Sequence, residues 1–115
     1  MASRFRRLVA YRLAADLADE LHSCVAVWPE AERESIGDQL VRAIDSVGAN
    51  IAEATGRWTL ADKRRLLLIA RGSLHEAEHW IERAEARGLL ARGTIDRIPE
   101  IARTLNGLIK HAAPD

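Results

Sequence analysis

The feature that most constrains the fold is a helical spacing of apolar residues that recurs in four separate segments. Large apolar side chains return every three or four residues, which places them on one face of an α-helix. No segment sustains the alternation of two residues that is typical of a half-buried β-strand. The four stripes are Leu13, Leu17, Leu21, Cys24 and Trp28; Ile36, Leu40, Ile44, Val47 and Ile51; Leu67, Leu74 and Ile81; and Ile98, Ile101, Leu105, Leu108 and Ile109.

Helix-breaking and capping residues mark where the first three helices end or begin. Pro29 follows the first stripe, and Gly56 lies just beyond the second. Thr59, followed three residues later by Asp62, resembles a capping box with Asp in place of Glu. Gly88 resembles a glycine C-terminal stop. The third helix is therefore expected from about residue 60 to residue 87.

The fourth helix is expected to end near His111, with Thr94 as a candidate N-cap and Pro99 in its first turn or at a kink. Because the connections are short, successive helices should be antiparallel neighbours. The sequence therefore predicts one all-α domain over residues 1–115, an antiparallel up-down-up-down four-helix bundle.

Composition narrows the classes of partner and compartment. Seventeen basic residues balance seventeen acidic ones, so no bulk positive field attracts nucleic acid or a membrane. The lone Cys24 excludes a disulfide framework and is expected to be a buried thiol. No apolar stretch approaches the roughly 20 residues needed to span a bilayer, and charged residues interrupt the N-terminal apolar run. We expect a cytoplasmic protein without a membrane partner.

Two segments carry a family resemblance. "SVGANIAEATGR" (residues 46–57) and "IARGSLHEAE" (residues 69–78) resemble the paired signatures of the four-helix-bundle proteins found in intervening sequences of large-subunit ribosomal RNA genes. That family is similar to the accessory variability determinant of diversity-generating retroelements. Gly48 stands where the family usually has proline, and Ala54 where it usually has glycine. The motif positions with an expected structural role are Asn50, Glu53, Gly72, Ser73 and Glu76.

The resemblance implies an oligomer, commonly a pentameric ring, without known catalytic activity. For the retroelement branch alone, it also implies binding of a reverse transcriptase and of nucleic acid. Three hypotheses follow: an oligomeric interaction module, which we favour; a purely self-associating structural protein; and a metal enzyme.

Packing explains most of the polar and small residues in these motifs. Asn50 and Glu53 should lie opposite the start of the third helix and be satisfied by helix-end groups or by Lys63 and Arg64. Gly72 should lie opposite the Ile44 region, where a missing side chain lets two helices approach closely.

The sequence gives little support for catalysis or for metal binding. Asp19 with His22, and Glu76 with His79, have the Glu-x-x-His spacing of bundle metal sites. At 3.6 residues per turn, however, both pairs point away from the apolar stripes of their helices. Ser73 has no base on its face. We therefore expect no catalytic residue, metal or cofactor.

Trp58 is the main residue of the binding hypothesis, and its indole has two possible roles. Its indole either stacks on a base beside basic residues that neutralise phosphates, or it caps the end of the hydrophobic core. We favour the second interpretation, since large apolar rings at bundle ends are commonly buried. The candidate binding residues for a nucleic acid or protein partner are Arg57, Trp58, Lys63, Arg64, Arg65 and Arg71.

Two further patterns concern the third helix. Ile69 and Trp80 lie outside its main stripe, and an apolar arc that wide predicts an oligomer interface. Its charges also run from basic near the N-terminus to acidic near the C-terminus, which opposes the helix macrodipole. Either solvent screening or a basic rim that binds a partner is expected to compensate. The stripe is Arg64, Arg71, Glu78 and Glu85.

Overall fold

The computed structural model describes residues 4–112, and it consists of four α-helices joined by short connections. We number them α1 (Val9–Val25), α2 (Asp38–Thr55), α3 (Leu60–Ala86) and α4 (Ile98–His111). No β-strand occurs between residues 4 and 112. Both α1 and α3 pack against α2 and against α4, so the helices enclose one core. The predicted all-α four-helix bundle is confirmed.

The first connection differs from the sequence-based expectation. Helix α1 ends at Val25, whereas its stripe predicted a helix up to Pro29. Trp28 lies in the turn instead, with its backbone N–H donating to the Val25 carbonyl. Its side chain is only 6% exposed, so the indole still closes the core at this end of the bundle.

The segment after this turn is helical from its first residues. An α-helical turn (Glu30–Glu32) and a π-helical turn (Arg33–Gly37) lead directly into α2. Gly37 sits where the chain packs most closely, because a Cβ there would lie 2.8 Å from Val25 Cγ1. The side chain of Val25 thus requires a glycine at the end of the π-turn.

Helix α3 begins and ends as its capping residues predicted. The Thr59 hydroxyl accepts a hydrogen bond from the Asp62 N–H at 3.1 Å. At the other end, Gly88 adopts a left-handed φ of 73°, and the Leu89 N–H donates to the Ala84 carbonyl at 2.9 Å. This is the Schellman arrangement of a helix C-terminus.

Helix α4 begins differently from the prediction. Thr94 is not its N-cap, because the threonine opens a separate 3₁₀ turn (Thr94–Arg97) and its hydroxyl donates to the Ala91 carbonyl. Glu85 of α3 caps this 3₁₀ turn, which leads directly into α4. Its carboxylate accepts hydrogen bonds from the N–H of Ile95 at 2.9 Å and of Gly93 at 3.4 Å.

At the other end of the α3–α4 pair, a basic side chain of α3 contacts the C-terminus of α4. Arg64, near the start of α3, donates to the carbonyl of Ile109 in the last turn of α4 at 3.1 Å. Because α4 runs antiparallel to α3, the basic start of α3 meets the negative end of the α4 dipole, and the acidic end of α3 meets its positive end. The charge order of the α3 stripe thus complements α4, which explains why it opposes the dipole of its own helix.

Candidate functional site

The motif residues on α2 and α3 form a polar link between the two helices. The Asn50 side chain donates to the Ser46 carbonyl at 2.8 Å and to the Ser46 hydroxyl at 3.0 Å. That hydroxyl lies 2.8 Å from the hydroxyl of Ser73 on α3. All three side chains are half-buried, so these bonds satisfy the polar groups that the motif places between the helices.

Glu53 pairs with a residue just beyond the end of its own helix rather than with the start of α3. It accepts a hydrogen bond from Arg57 and makes no hydrogen bond or ion pair with Lys63 or Arg64. Asp62 continues the chain of charges, since it lies 3.9 Å from Arg57 and 3.1 Å from Arg65. Glu53 raises the pKa of Arg57 above its ordinary value through this hydrogen bond and through its charge. Arg57 and Arg65 therefore already have anionic partners within the chain.

Gly72 does not support the expected close approach of two helices. It is exposed on α3, and a Cβ added there would meet no atom within 4 Å. The expectation was wrong because Gly72 lies outside the face of α3 that packs on α2. Within the monomer, this glycine has no packing role.

The two residues of the predicted oligomer interface differ in exposure. Ile69 is 44% exposed on α3. Trp80 is half-buried against the core, and its indole N–H donates to the carboxylate of Glu76 at 3.2 Å. Ile69 and Gly72, three residues apart, therefore form the more open part of this face.

Trp58 is the most exposed large apolar side chain at this end of the bundle. It lies in the connection between α2 and α3, and 99% of it is exposed. The interpretation that the indole caps the core was wrong, since Leu67 and Ala112 close the core at this end. Trp28 performs the closing role at the opposite end, so only one of these two tryptophans is used for folding.

The topology places further basic side chains at the same end of the bundle as Trp58. An antiparallel bundle brings the start of α1 and the end of α4 to the same end as the α2–α3 connection, although these segments are distant in sequence. Arg71 lies further along α3 and donates to Asn106 at 3.4 Å, so it is not part of this group. We call the group the Trp58 end; it consists of Trp58 with Arg6, Arg7, Arg57, Lys63, Arg64, Arg65, Lys110 and His111.

The sequence-based selection missed part of this group. Arg6, Arg7, Lys110 and His111 were not among the candidate residues, because the candidates came only from the α2–α3 connection and from α3. The signal that identifies them is the predicted topology itself, since an up-down-up-down bundle places both outer chain ends beside the second connection.

A pocket of about 310 Å³ opens at the same end. Side chains from all four helix ends line it, and most of them are apolar. We call it the end pocket; its lining residues are Leu8, Ala54, Thr55, Leu60, Lys63, Leu67, Leu108, His111 and Ala112. A second cavity of about 330 Å³ lies between α1 and α2, with Asp19 and Asp45 among its lining residues.

The residues considered for metal binding lie on the surface. Asp19, His22, Glu76 and His79 are all exposed, and His22 hydrogen-bonds to Asp45 at 2.8 Å. Residues 4–112 contain no group of three or more His, Cys, Asp or Glu side chains arranged to hold an ion. Cys24, expected to be buried, is half-buried against the core. No helix in the described part of the chain is long and apolar enough to cross a membrane.

Comparison with known proteins identifies related sequences and folds. The family described as 23S rRNA-intervening sequence protein matches residues 6–111. A crystal structure of a protein of unknown function from the S23 ribosomal protein family of Bacteroides thetaiotaomicron is similar, with a TM-score of 0.66 and 23% sequence identity over 90% of this chain and 94% of that chain. At that identity the likeness concerns the fold. No curated protein matches this sequence.

Proposed function

We propose that this chain, which belongs to the 23S rRNA-intervening sequence protein family, is a non-catalytic, self-associating helical module that binds single-stranded nucleic acid at its Trp58 end. The observation that carries the proposal is the exposure of Trp58. Burying a tryptophan side chain removes a large apolar surface from water, and Trp58 obtains none of that stabilisation within the monomer. An indole in this position is available to stack on an unpaired base.

The charges around Trp58 support an anionic partner. Arg6, Arg7 and Lys110 are exposed. Arg57 and Arg65 contribute less, since Glu53 and Asp62 already neutralise them in part. Phosphate contacts of this kind attract nucleic acid without reading its sequence.

Self-association supplies affinity that one neutral chain lacks. The net charge of the chain is zero, so one Trp58 end offers few phosphate contacts. An oligomer would present several such ends to one strand, and multivalent binding raises affinity without new contacts. Ile69 and Gly72 form the surface through which we propose that copies associate, because an exposed isoleucine next to a missing side chain permits close helix packing. A pentamer is the leading candidate for the number of copies.

Binding of short RNA tests the proposal. Fluorescence anisotropy should show salt-sensitive binding of a labelled single strand and weaker binding of a duplex, because only unpaired bases can stack on an exposed indole. Trp58→Ala should weaken single-strand binding about five- to a hundredfold, which corresponds to the loss of one stacked base. Val27→Ala is the matched control, since Val27 is 83% exposed in the turn at the other end.

Three results would contradict nucleic-acid binding: no salt-sensitive binding, equal binding by Trp58→Ala, or equal loss in the Val27→Ala control. Polyglutamate is the competitor that separates an acidic protein partner, such as a polymerase surface, from nucleic acid. If polyglutamate binds as well as RNA and Trp58→Ala weakens neither, the basic side chains attract acidic surfaces in general and the nucleic-acid proposal fails.

A further inference from the structure

We propose that the end pocket binds a small amphipathic carboxylate, with its apolar part against Leu67 and Leu108 and its carboxylate at Lys63 and His111. The ligand class is an alkyl or aryl chain that ends in one carboxylate. This binding site does not depend on whether the Trp58 end binds nucleic acid.

The size and lining of the pocket suit a small apolar group. Its volume of about 310 Å³ equals that of roughly ten water molecules and lies at the lower limit for small-molecule sites. Leu8, Leu60, Leu67 and Leu108 come from different parts of the chain and converge on it. Displacing water from leucine side chains favours an apolar ligand, because the hydrophobic gain grows with the apolar area buried.

The charges of the lining determine which end group the ligand carries. Lys63 and His111 come from the start of α3 and the end of α4, and no carboxylate in the described part of the chain lines the pocket. Among residues 4–112, neither of them forms an ion pair. A half-buried lysine lays its alkyl chain on apolar surface and keeps its ammonium in water, where it can meet an anion. The pocket is therefore complementary to an anion with an apolar tail.

Two alternatives fit the pocket less well. A nucleobase would bury polar edges against leucine side chains that offer no hydrogen bonds, which costs free energy. An amphipathic cation would face Lys63 at the pocket and is better suited to the cavity between α1 and α2, where Asp19 and Asp45 lie.

Titration calorimetry with octanoate tests the proposal on the full chain, below the concentration at which octanoate forms micelles. Octanoate should bind once per chain and shift the methyl resonances of Leu67 and Leu108. Octylammonium should bind at least about tenfold more weakly, which corresponds to losing one charge-assisted contact.

Two substitutions distinguish octanoate binding in the end pocket from nonspecific binding of apolar anions. Lys63→Met should reduce octanoate affinity about tenfold and bring it close to that of octanol. Arg103→Met is the control, because Arg103 is exposed on α4 outside the lining and carries the same charge change. No saturable binding, equal affinity for octanoate and octylammonium, or equal loss in both variants would overturn the proposal. Trp58→Ala should leave octanoate binding intact, so failure of this inference and failure of RNA binding are distinguishable.

Discussion

Replacing Glu85 by alanine tests how α3 caps the 3₁₀ turn that leads into α4. The carboxylate of Glu85 accepts hydrogen bonds from the N–H groups of Ile95 and Gly93, at the positive end of the α4 dipole. Glu85→Ala removes both acceptors and the negative charge. The Ile95 bond is half-buried, so water replaces it incompletely and the donor is left partly unsatisfied.

The expected loss in the free energy of unfolding is about 1–2 kcal/mol. An unsatisfied buried N–H costs about 1–3 kcal/mol, and favourable charges at helix ends contribute about 0.3–1 kcal/mol. Partial exposure of the site and the higher helix propensity of alanine reduce the sum. Unfolding entropy of about 2.1 cal/mol/K per residue gives about 240 cal/mol/K for 115 residues. The melting temperature should therefore fall by about 4–8 °C.

Thermal unfolding followed by circular dichroism measures this loss, with Glu82→Ala as the control. Glu82 lies one turn earlier on α3, is exposed and makes no hydrogen bond or ion pair to another described residue. The control should change the melting temperature by less than about 2 °C, since exposed surface substitutions cost about 0.5 kcal/mol or less. If both variants lose the same stability, the hydrogen bonds of Glu85 to the 3₁₀ turn do not stabilise the fold and the charge order of α3 has another cause. Glu85→Gln, which keeps one acceptor, should fall between the wild type and Glu85→Ala.

Two further substitutions test close packing and assembly. Gly37→Ala should lower the free energy of unfolding by about 1–3 kcal/mol in urea, because the added Cβ would lie 2.8 Å from Val25 Cγ1, whereas Gly107→Ala, which meets no atom within 4 Å, should not. Ile69→Asp should reduce the oligomer mass measured by light scattering, because a carboxylate at an apolar interface is desolvated, whereas Val27→Asp should leave it unchanged. A monomeric wild type, or equal effects of the two aspartates, would contradict the proposed interface.

Local signals in the sequence predicted the helices well. The capping pair Thr59 and Asp62 and the stop at Gly88 act within one turn, so their chemistry is visible without a fold. The core stripes could be predicted equally well, because the helical period alone determines which residues share a face. Leu40, Ile44 and Val47 of the second stripe are fully buried.

What the sequence did not reveal depends on contacts between distant segments. Glu85 caps the 3₁₀ turn before α4 only because the chain reverses after α3, and no local pattern distinguishes it from Glu82. Gly37 faces Val25 because a π-turn shifts the register before α2. Trp58 looked suited to the core by its hydrophobicity, but Leu67 and Ala112 already cover the core at that end. In each case the contacts of the side chain depend on which residues from other segments pack at the same position.

The distribution of charge over the bundle is the feature that supports the proposed partner. A net charge of zero argues against nucleic-acid binding only if the charges are spread evenly. The bundle instead places Arg6, Arg7 and Lys110 at the same end as Trp58, while Glu53 and Asp62 lie within ion pairs. Reversal of Arg7 or Lys110 to Glu would leave the core intact, because both side chains are exposed. We therefore expect the proposed partner at one end of the molecule, and the topology of the bundle determines which end that is.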